Sequence, residues 1–486
     1  MQHFEKINKN YINGEWVEGQ SHTVYNDVNP YNNSTITTIQ LAAKKQVEEA
    51  FEVAHVAQKK WAQSTVEDRK KVIIKTIEYI KNNQEEIVQL IVKETGGTIL
   101  KANVEVDLTL EVTEEALKYA GELDEVREVP SAMDGKVNRI YRLPLGVISS
   151  ISPFNFPMNL SMRSIVPAIA LGSAVVHKPD IQVGLIGGVV LAKAFEYAGL
   201  PKGVFNMILT DIPEIGDAMI TNPYAKLVSF TGSTEVGRHI GEVAGRHLKR
   251  VALELGGNSP FVVLSDADID QAVNAALFGK FVHQGQVCMS INRFIVHEEK
   301  HDEFVDKLTE RVKALSYGDP SNPETVIGPL INKQQRDKAL HSIEVAKKEG
   351  ATSVLEGKLE GNVLSPSVFT NVKNDSEVAR SELFAPIALI IKAESDEEAI
   401  NMANDTTGGL SSSIFTSDLK KGEEYALQVD AGMTHVNDQT VNDAPNVPFG
   451  GNKNSGIGRF GNPWIVEEYT ITKWVSVQEA ERSFPF

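Results

Sequence analysis

The chain contains a single cysteine, Cys288. Any thiol chemistry falls to that residue, and neither an intrachain disulfide nor a cysteine-based zinc cluster can form; no metal site is expected. Cys288 lies in Phe281-Val-His-Gln-Gly-Gln-Val-Cys-Met-Ser290, where Gly285 breaks regular structure shortly before it. The segment reads as a loop meeting a helix start, a setting that lowers a thiol's pKa and offers N–H donors to an oxyanion. The other reading is a small buried hydrophobe. His283 is a conceivable partner, but on a regular helix their separation turns the two side chains about 140° apart, so a Cys–His pair is not expected. Glu254 stands in Val251-Ala-Leu-Glu-Leu-Gly-Gly-Asn-Ser-Pro260, inside an apolar strand. A carboxylate there is costly unless it has a task or a partner, and a raised pKa would suit a general base; the alternative is a strand-end Glu facing water. Asn155, in Ser152-Pro-Phe-Asn-Phe-Pro157, is a neutral double donor held between aromatics. It suits a carbonyl oxygen that becomes an oxyanion, or it is an ordinary turn asparagine.

A fourth segment, Phe230-Thr-Gly-Ser-Thr-Glu-Val-Gly237, closes an apolar strand and opens a helix. That geometry aims backbone N–H groups and a helix dipole at an anion such as a dinucleotide pyrophosphate. It is not Gly-x-Gly-x-x-Gly, and a plain N-capped helix fits it as well.

These residues need elements to hold them. Apolar residues at three- and four-residue spacing predict helices over Lys44–Trp61, Val66–Thr95 and Glu111–Leu123. Val126–Leu143 reads as a protruding hairpin around a Pro-Ser-Ala-Met-Asp-Gly turn. From Gly146 short apolar runs alternate with helices expected at Leu160–Leu171, Gly184–Ala198, Ile215–Thr221 and Ser233–His247. A second alternating set has strands near Pro260–Leu264, Arg293–Val296 and Ile387–Ile391. Its helices lie near Ile269–Phe281, Lys300–Leu315, Lys333–Glu349 and Asp396–Asn404. Continuous apolar strands between helices imply parallel sheets covered on both faces, hence an α/β fold of two packed domains.

Composition narrows the class of partner. A formal charge of −17 over 486 residues argues against a nucleic-acid or anionic-membrane partner, which would want a basic patch. Met1–Asn10 carries Glu, Lys and His with no apolar leader core, and the longest apolar stretch, Ile165–Val176, contains Pro and Gly and is too short to span a bilayer. A cytoplasmic protein is expected.

Taken together, these residues resemble the aldehyde dehydrogenase superfamily. The resemblance runs from Tyr11-Ile-Asn-Gly-Glu-Trp16 past Pro448-Phe-Gly-Gly-Asn-Lys-Asn-Ser-Gly-Ile-Gly-Arg459. Between them, in family order, come Pro-Phe-Asn-Phe-Pro, His177-Lys-Pro179, Thr-Gly-Ser, Glu-Leu-Gly-Gly, Gly-Gln-Val-Cys and Glu382-Leu-Phe-Ala-Pro386. The resemblance implies Cys288 as nucleophile, Glu254 as general base and Asn155 as oxyanion donor. It implies cofactor contacts at Ser152, Phe154, Lys178, Gly232, Ser233, Glu235, Val236, Gly237, Leu255, Gly256, Glu382 and Phe384. The implied cycle runs through a thiohemiacetal, hydride loss to NAD(P), and hydrolysis of a thioester. NAD is the expected cofactor; Ile181 stands where strictly NAD-preferring relatives often have Glu, and the absence of that carboxylate leaves NADP possible. Phe154 replaces a frequent Trp, and Ala385 a frequent Gly.

The stretch Pro157-Met-Asn-Leu-Ser-Met-Arg-Ser164 with His177-Lys-Pro-Asp180 resembles the benzaldehyde and vanillin dehydrogenase branch. Aromatic aldehydes are the expected substrates, with Phe154, Met158, Met162 and Met289 as candidate pocket walls. The alternatives are a broad aliphatic or semialdehyde dehydrogenase, a CoA-acylating relative, which Glu254 argues against, and a non-catalytic relative kept for binding. The resemblance implies a discontinuous NAD(P)-binding domain (1–125 and 145–250, also receiving about 437–466). It implies a catalytic domain at 251–436 and a bridging element at 126–144 with 467–486. A homodimer or homotetramer is expected, because the strand at Tyr469–Val475 could extend a neighbour's sheet.

Overall fold

The computed structural model describes residues 4–486. The reading of Met1–Asn10 as lacking a leader rests partly on residues 1–3, which lie outside the described residues. Among the described residues no helix is long and apolar enough to cross a membrane.

Two sheets organise the chain. The first has eight strands, and its centre is five parallel strands in the spatial order Phe205–Met207, Ala174–Lys178, Val147–Ile151, Ala225–Thr231, Arg250–Glu254. The chain starts in the middle at Val147–Ile151, winds to one side, then returns to fill the other. Connections leave in opposite directions at the boundary between Val147–Ile151 and Ala225–Thr231, which opens a crevice at the carboxyl ends of those strands. Antiparallel strands Asn10–Ile12, Glu15–Val17 and Gly456–Ile457 finish the edges. Arg250–Glu254 is part of this sheet, so the boundary expected at 250/251 falls inside an element.

The second sheet has seven strands, six of them parallel: Ser367–Thr370, Ile387–Ala393, Ile291–His297, Ser259–Val263, Ser411–Phe415 and Met433–Val436. Alternation along each strand feeds two separate cores. Ile387, Leu389, Ile391, Ile295 and Val262 pack on one face, while Ala388, Ile390, Phe294, Val296, Phe261 and Val263 pack on the other. Burial on both faces is why these strands read as unbroken apolar runs.

A third, antiparallel sheet joins Arg127–Val129, Lys136–Pro144 and Thr470–Gln478. The hairpin is therefore present, with the C-terminal strand as its third member.

Three helix expectations are revised. Val66–Thr95 is two helices, Val66–Asn82 and Gln84–Thr95, parted at Asn83. The helix expected from Glu111 starts much earlier, at Ile99, where the Thr98 hydroxyl accepts from the Lys101 N–H and caps it. Ile215–Thr221 is split at Gly216, which takes a left-handed conformation (φ +54°).

Candidate active site

The carboxyl ends of the first sheet gather most of the expected residues. Ser152 follows Val147–Ile151, Lys178 ends Ala174–Lys178, Gly232 and Ser233 follow Ala225–Thr231, and Glu254 ends Arg250–Glu254. Ser233 is the N-cap of Thr234–Arg246, its hydroxyl accepting from the Val236 N–H, with Glu235 and Val236 exposed in the first turn. That helix start faces the crevice and has the free N–H groups an anion needs. Gly237 lets the helix lie close on the adjoining segment: a Cβ there would come 2.2 Å from Leu255 Cδ2. Leu255 is thus buried scaffold. The Ser152 hydroxyl is likewise committed, accepting from Ser161 at 2.7 Å. Among the described residues the buried Lys178 ammonium makes only a long contact to the Pro179 carbonyl, 3.4 Å.

The second sheet supplies the opposite wall. The Gly257 N–H donates to Glu382 Oε1 at 3.1 Å, and a Cβ on Gly256 would come 2.7 Å from Glu382 Oε2. The Phe384 ring meets Phe154 edge-on at 5.9 Å. Helix start, lysine and carboxylate around one crevice fit a dinucleotide: backbone donors for a pyrophosphate, polar groups for riboses.

Cys288 corrects the sequence reading. No helix begins there. Helix Ile269–Phe281 ends, His283 and Gln284 turn through left-handed conformations (φ +49° and +58°), and Cys288 then leads into strand Ile291–His297. The thiol therefore has no helix dipole to ionise it. Burial pushes it up to about 12, with Arg163 pulling it down and the Glu254, Glu382 and Asp443 carboxylates pushing it up. His283 stacks edge-on against Phe156 at 5.7 Å, and neither ring nitrogen has a hydrogen-bond partner among the described residues; no Cys–His pair forms.

Glu254 is 2% exposed, and neither carboxylate oxygen has a hydrogen-bond partner among the described residues. Burial raises it to about 8, against the pull of Arg163 and Arg459. The solvent-facing reading of this residue is excluded. Asn155 donates one amide N–H to the Gln286 carbonyl, 3.0 Å away, which fixes which end of the amide is nitrogen. Its second N–H is left for another acceptor.

Asn155 and Cys288 line one cavity of about 270 Å³. Its walls include Val104, Leu108, Phe156, Leu160, Phe278 and Phe449. Of the residues expected as walls only Met289 is one. Met158 and Met162 are fully buried elsewhere, because helix Pro157–Ala170 turns Asn159, Leu160 and Arg163 to the cavity and those two away from it. Phe154 sits on the Phe384 side.

A sequence profile described as the aldehyde dehydrogenase family matches residues 16–475. The AldY protein of Bacillus subtilis (strain 168) is 63% identical, covering 99% of this chain and 100% of AldY. A vanillin dehydrogenase of Corynebacterium glutamicum is 46% identical over 97% of this chain and 98% of its own. The crystal structure of an NAD-dependent benzaldehyde dehydrogenase from Corynebacterium glutamicum superposes with a TM-score of 0.91 at 43% identity, covering 99% of this chain and 98% of that one.

This chain belongs to the aldehyde dehydrogenase family. In this aldehyde dehydrogenase the loop carrying Asn155 is braced from behind. Glu105, fully buried, accepts from the Met158 N–H at 2.8 Å and pairs with buried Lys101, whose ammonium lies 4.5 Å from the Phe156 ring centre. The sequence reading missed that brace, along with Asn159, Arg163 and Asp443 in the cavity wall. One signal was available: Arg163 stands in an otherwise uncharged helix with no acid three or four residues away, so its partner had to be distant.

Proposed function

We propose that this aldehyde dehydrogenase oxidises aromatic aldehydes of the benzaldehyde and vanillin type to carboxylic acids with NAD. The observation that carries the reading is the shared cavity. A thiol and a half-free amide donor face a mostly apolar space, and a buried, unpartnered carboxylate acts electrostatically on that thiol. The names of the relatives support the substrate class and cofactor.

In this reading the Cys288 thiol gives up its proton to water as its sulfur attacks the aldehyde carbon, and the Asn155 amide with the Cys288 N–H holds the resulting oxyanion. NAD, when bound, would supply the acceptor for the hydride whose loss, with that of the hydroxyl proton, turns the thiohemiacetal into a thioester. Lys178, Ser233, Glu235, Gly232 and Glu382 bind and orient it, with Phe154 and Phe384 beside them. Val236 lies in the first turn of the same helix start, and Ser152, Gly237, Leu255 and Gly256 shape the crevice. Glu254 takes a proton from the water that hydrolyses the thioester. The first sheet with its flanking helices is the cofactor-binding part, and the second carries the thiol. Strands Met433–Val436 and Thr470–Gln478 are open sheet edges; pairing between copies at such edges supports a homodimer or homotetramer. A lone reduced thiol suits the cytoplasm.

The test is reduced-cofactor formation from benzaldehyde, vanillin and a short aliphatic aldehyde, with NAD and NADP, beside Cys288→Ala. Highest kcat/KM on the aromatic pair with NAD, and a loss of about 10³-fold or more in the variant, is expected. Preference for the aliphatic substrate would overturn the aromatic assignment.

A further inference from the structure

Among its apolar walls the cavity sets Asn155, Asn159, Arg163, Gln439, Asn442 and Asp443, of which Asn159, Arg163 and Asp443 form a hydrogen-bonded patch. Asp443 uses a single oxygen, Oδ2, for two bonds: from Arg163 Nη1 at 3.2 Å and from Asn159 Nδ2 at 3.4 Å. Both members of the ion pair are almost wholly buried, with side chains 6% and 8% exposed. The guanidinium is further held over the rings of Phe449 (4.1 Å) and Phe460 (5.2 Å). A buried ion pair is a poor device for stability, since apolar residues of the same volume do as well or better. A cavity serving only unsubstituted rings would gain from such a replacement.

The patch also leaves polar atoms unused. Among the described residues Asn159 Oδ1 is a buried acceptor without a partner, and Arg163 Nη2 a buried donor without one. An acceptor and a donor, set on a common carboxylate beside the thiol's cavity, match a group that both gives and takes a hydrogen bond. A hydroxyl does so; a methyl group of similar size does neither. Because Asp443 neutralises Arg163, the patch favours a neutral hydroxyl rather than an anion.

We propose that Asn159, Arg163 and Asp443 form a specificity subsite for a ring hydroxyl on the aldehyde substrate. The proposal rests on the aromatic-aldehyde reading above. A hydroxylated substrate satisfies atoms that are otherwise left unpaired, so discrimination comes from the protein's own polar groups as much as from the substrate's.

The experiment compares kcat/KM for 2-, 3- and 4-hydroxybenzaldehyde with that for the matching methylbenzaldehydes, and with benzaldehyde. For at least one ring position the hydroxy compound is expected to exceed the methyl compound by about tenfold. Asn159→Leu and Asp443→Asn are each expected to bring that ratio close to one. Oxidation of benzaldehyde with no hydroxyl preference at any position overturns the subsite alone. So does a preference that survives in both variants. Should Asp443→Asn fail to fold because Arg163 loses its partner, Asn159→Leu and the wild-type ratios decide. Failure of the wild type on every aromatic aldehyde overturns the aromatic reading, and the subsite with it.

Discussion

Glu254 ends a strand of the first sheet and Cys288 leads into a strand of the second, yet the carboxylate shapes the thiol's charge. The carboxylate raises the thiol, and Arg163 acts on both in the opposite sense. For Glu254 the dominant cause is burial, which holds it near 8, so at neutral pH most molecules carry it protonated. A general base works only when ionised. Wild-type turnover limited by thioester hydrolysis is therefore expected to rise with pH through about 8. Glu254→Gln should still release a burst of reduced cofactor near one equivalent, turn over slowly, and lose that pH limb. Rapid-mixing absorbance at several pH values checks it; full steady-state turnover in the variant would remove Glu254 from the role proposed for it.

At the scale of elements, the contact between strand exits matters most. Arg250–Glu254 runs into Leu255, Gly256 and Gly257. Leu255 donates its N–H to the Ser455 carbonyl, and the Ser455 hydroxyl donates to the Gly256 carbonyl. The next residue packs directly on Cys288: a Cβ on Gly257 would lie 2.3 Å from the Cys288 carbonyl oxygen. That atom is backbone and cannot rotate away. Gly257→Ala is expected to displace the thiol and lower kcat by about 100-fold, with slower alkylation of Cys288 as a second readout. Gly245→Ala is the control, because nothing lies within 4 Å of a Cβ there. In helix Thr234–Arg246 it should keep full activity and gain up to about 1 kcal/mol of stability.

For the molecule as a whole, the three-stranded sheet presents exposed apolar side chains on an open edge. Trp474 is 63% exposed and Ile471 39%. An isolated edge of this kind invites pairing with a second copy. Light scattering is expected to give a mass of two or four chains, and Trp474→Glu to shift the population towards one. A wild-type monomer at micromolar concentration would dismiss the edge-pairing argument.

Much of this protein was legible before any tertiary contact was known. Helices Lys44–Trp61, Ile269–Phe281 and Asp396–Asn404 follow from apolar spacing and are found at those bounds. The parallel sheets follow from unbroken apolar runs. The unusual placement of Glu254 among apolar residues already posed the question of a buried base, because desolvation is a cost that local sequence reveals. What local sequence could not reveal was the setting of Cys288. Its ionisation depends on burial and on Arg163, Glu254, Glu382 and Asp443, which come from distant segments. Nor could it show that Asn159 and Arg163 face the cavity while Met158 and Met162 do not, since the helix phase is set by what packs around it. The pairing of Arg163 with Asp443, 280 residues apart, exists only in the folded chain. Helical and strand periodicity act over a few residues; electrostatic partners and cavity walls are assembled by topology.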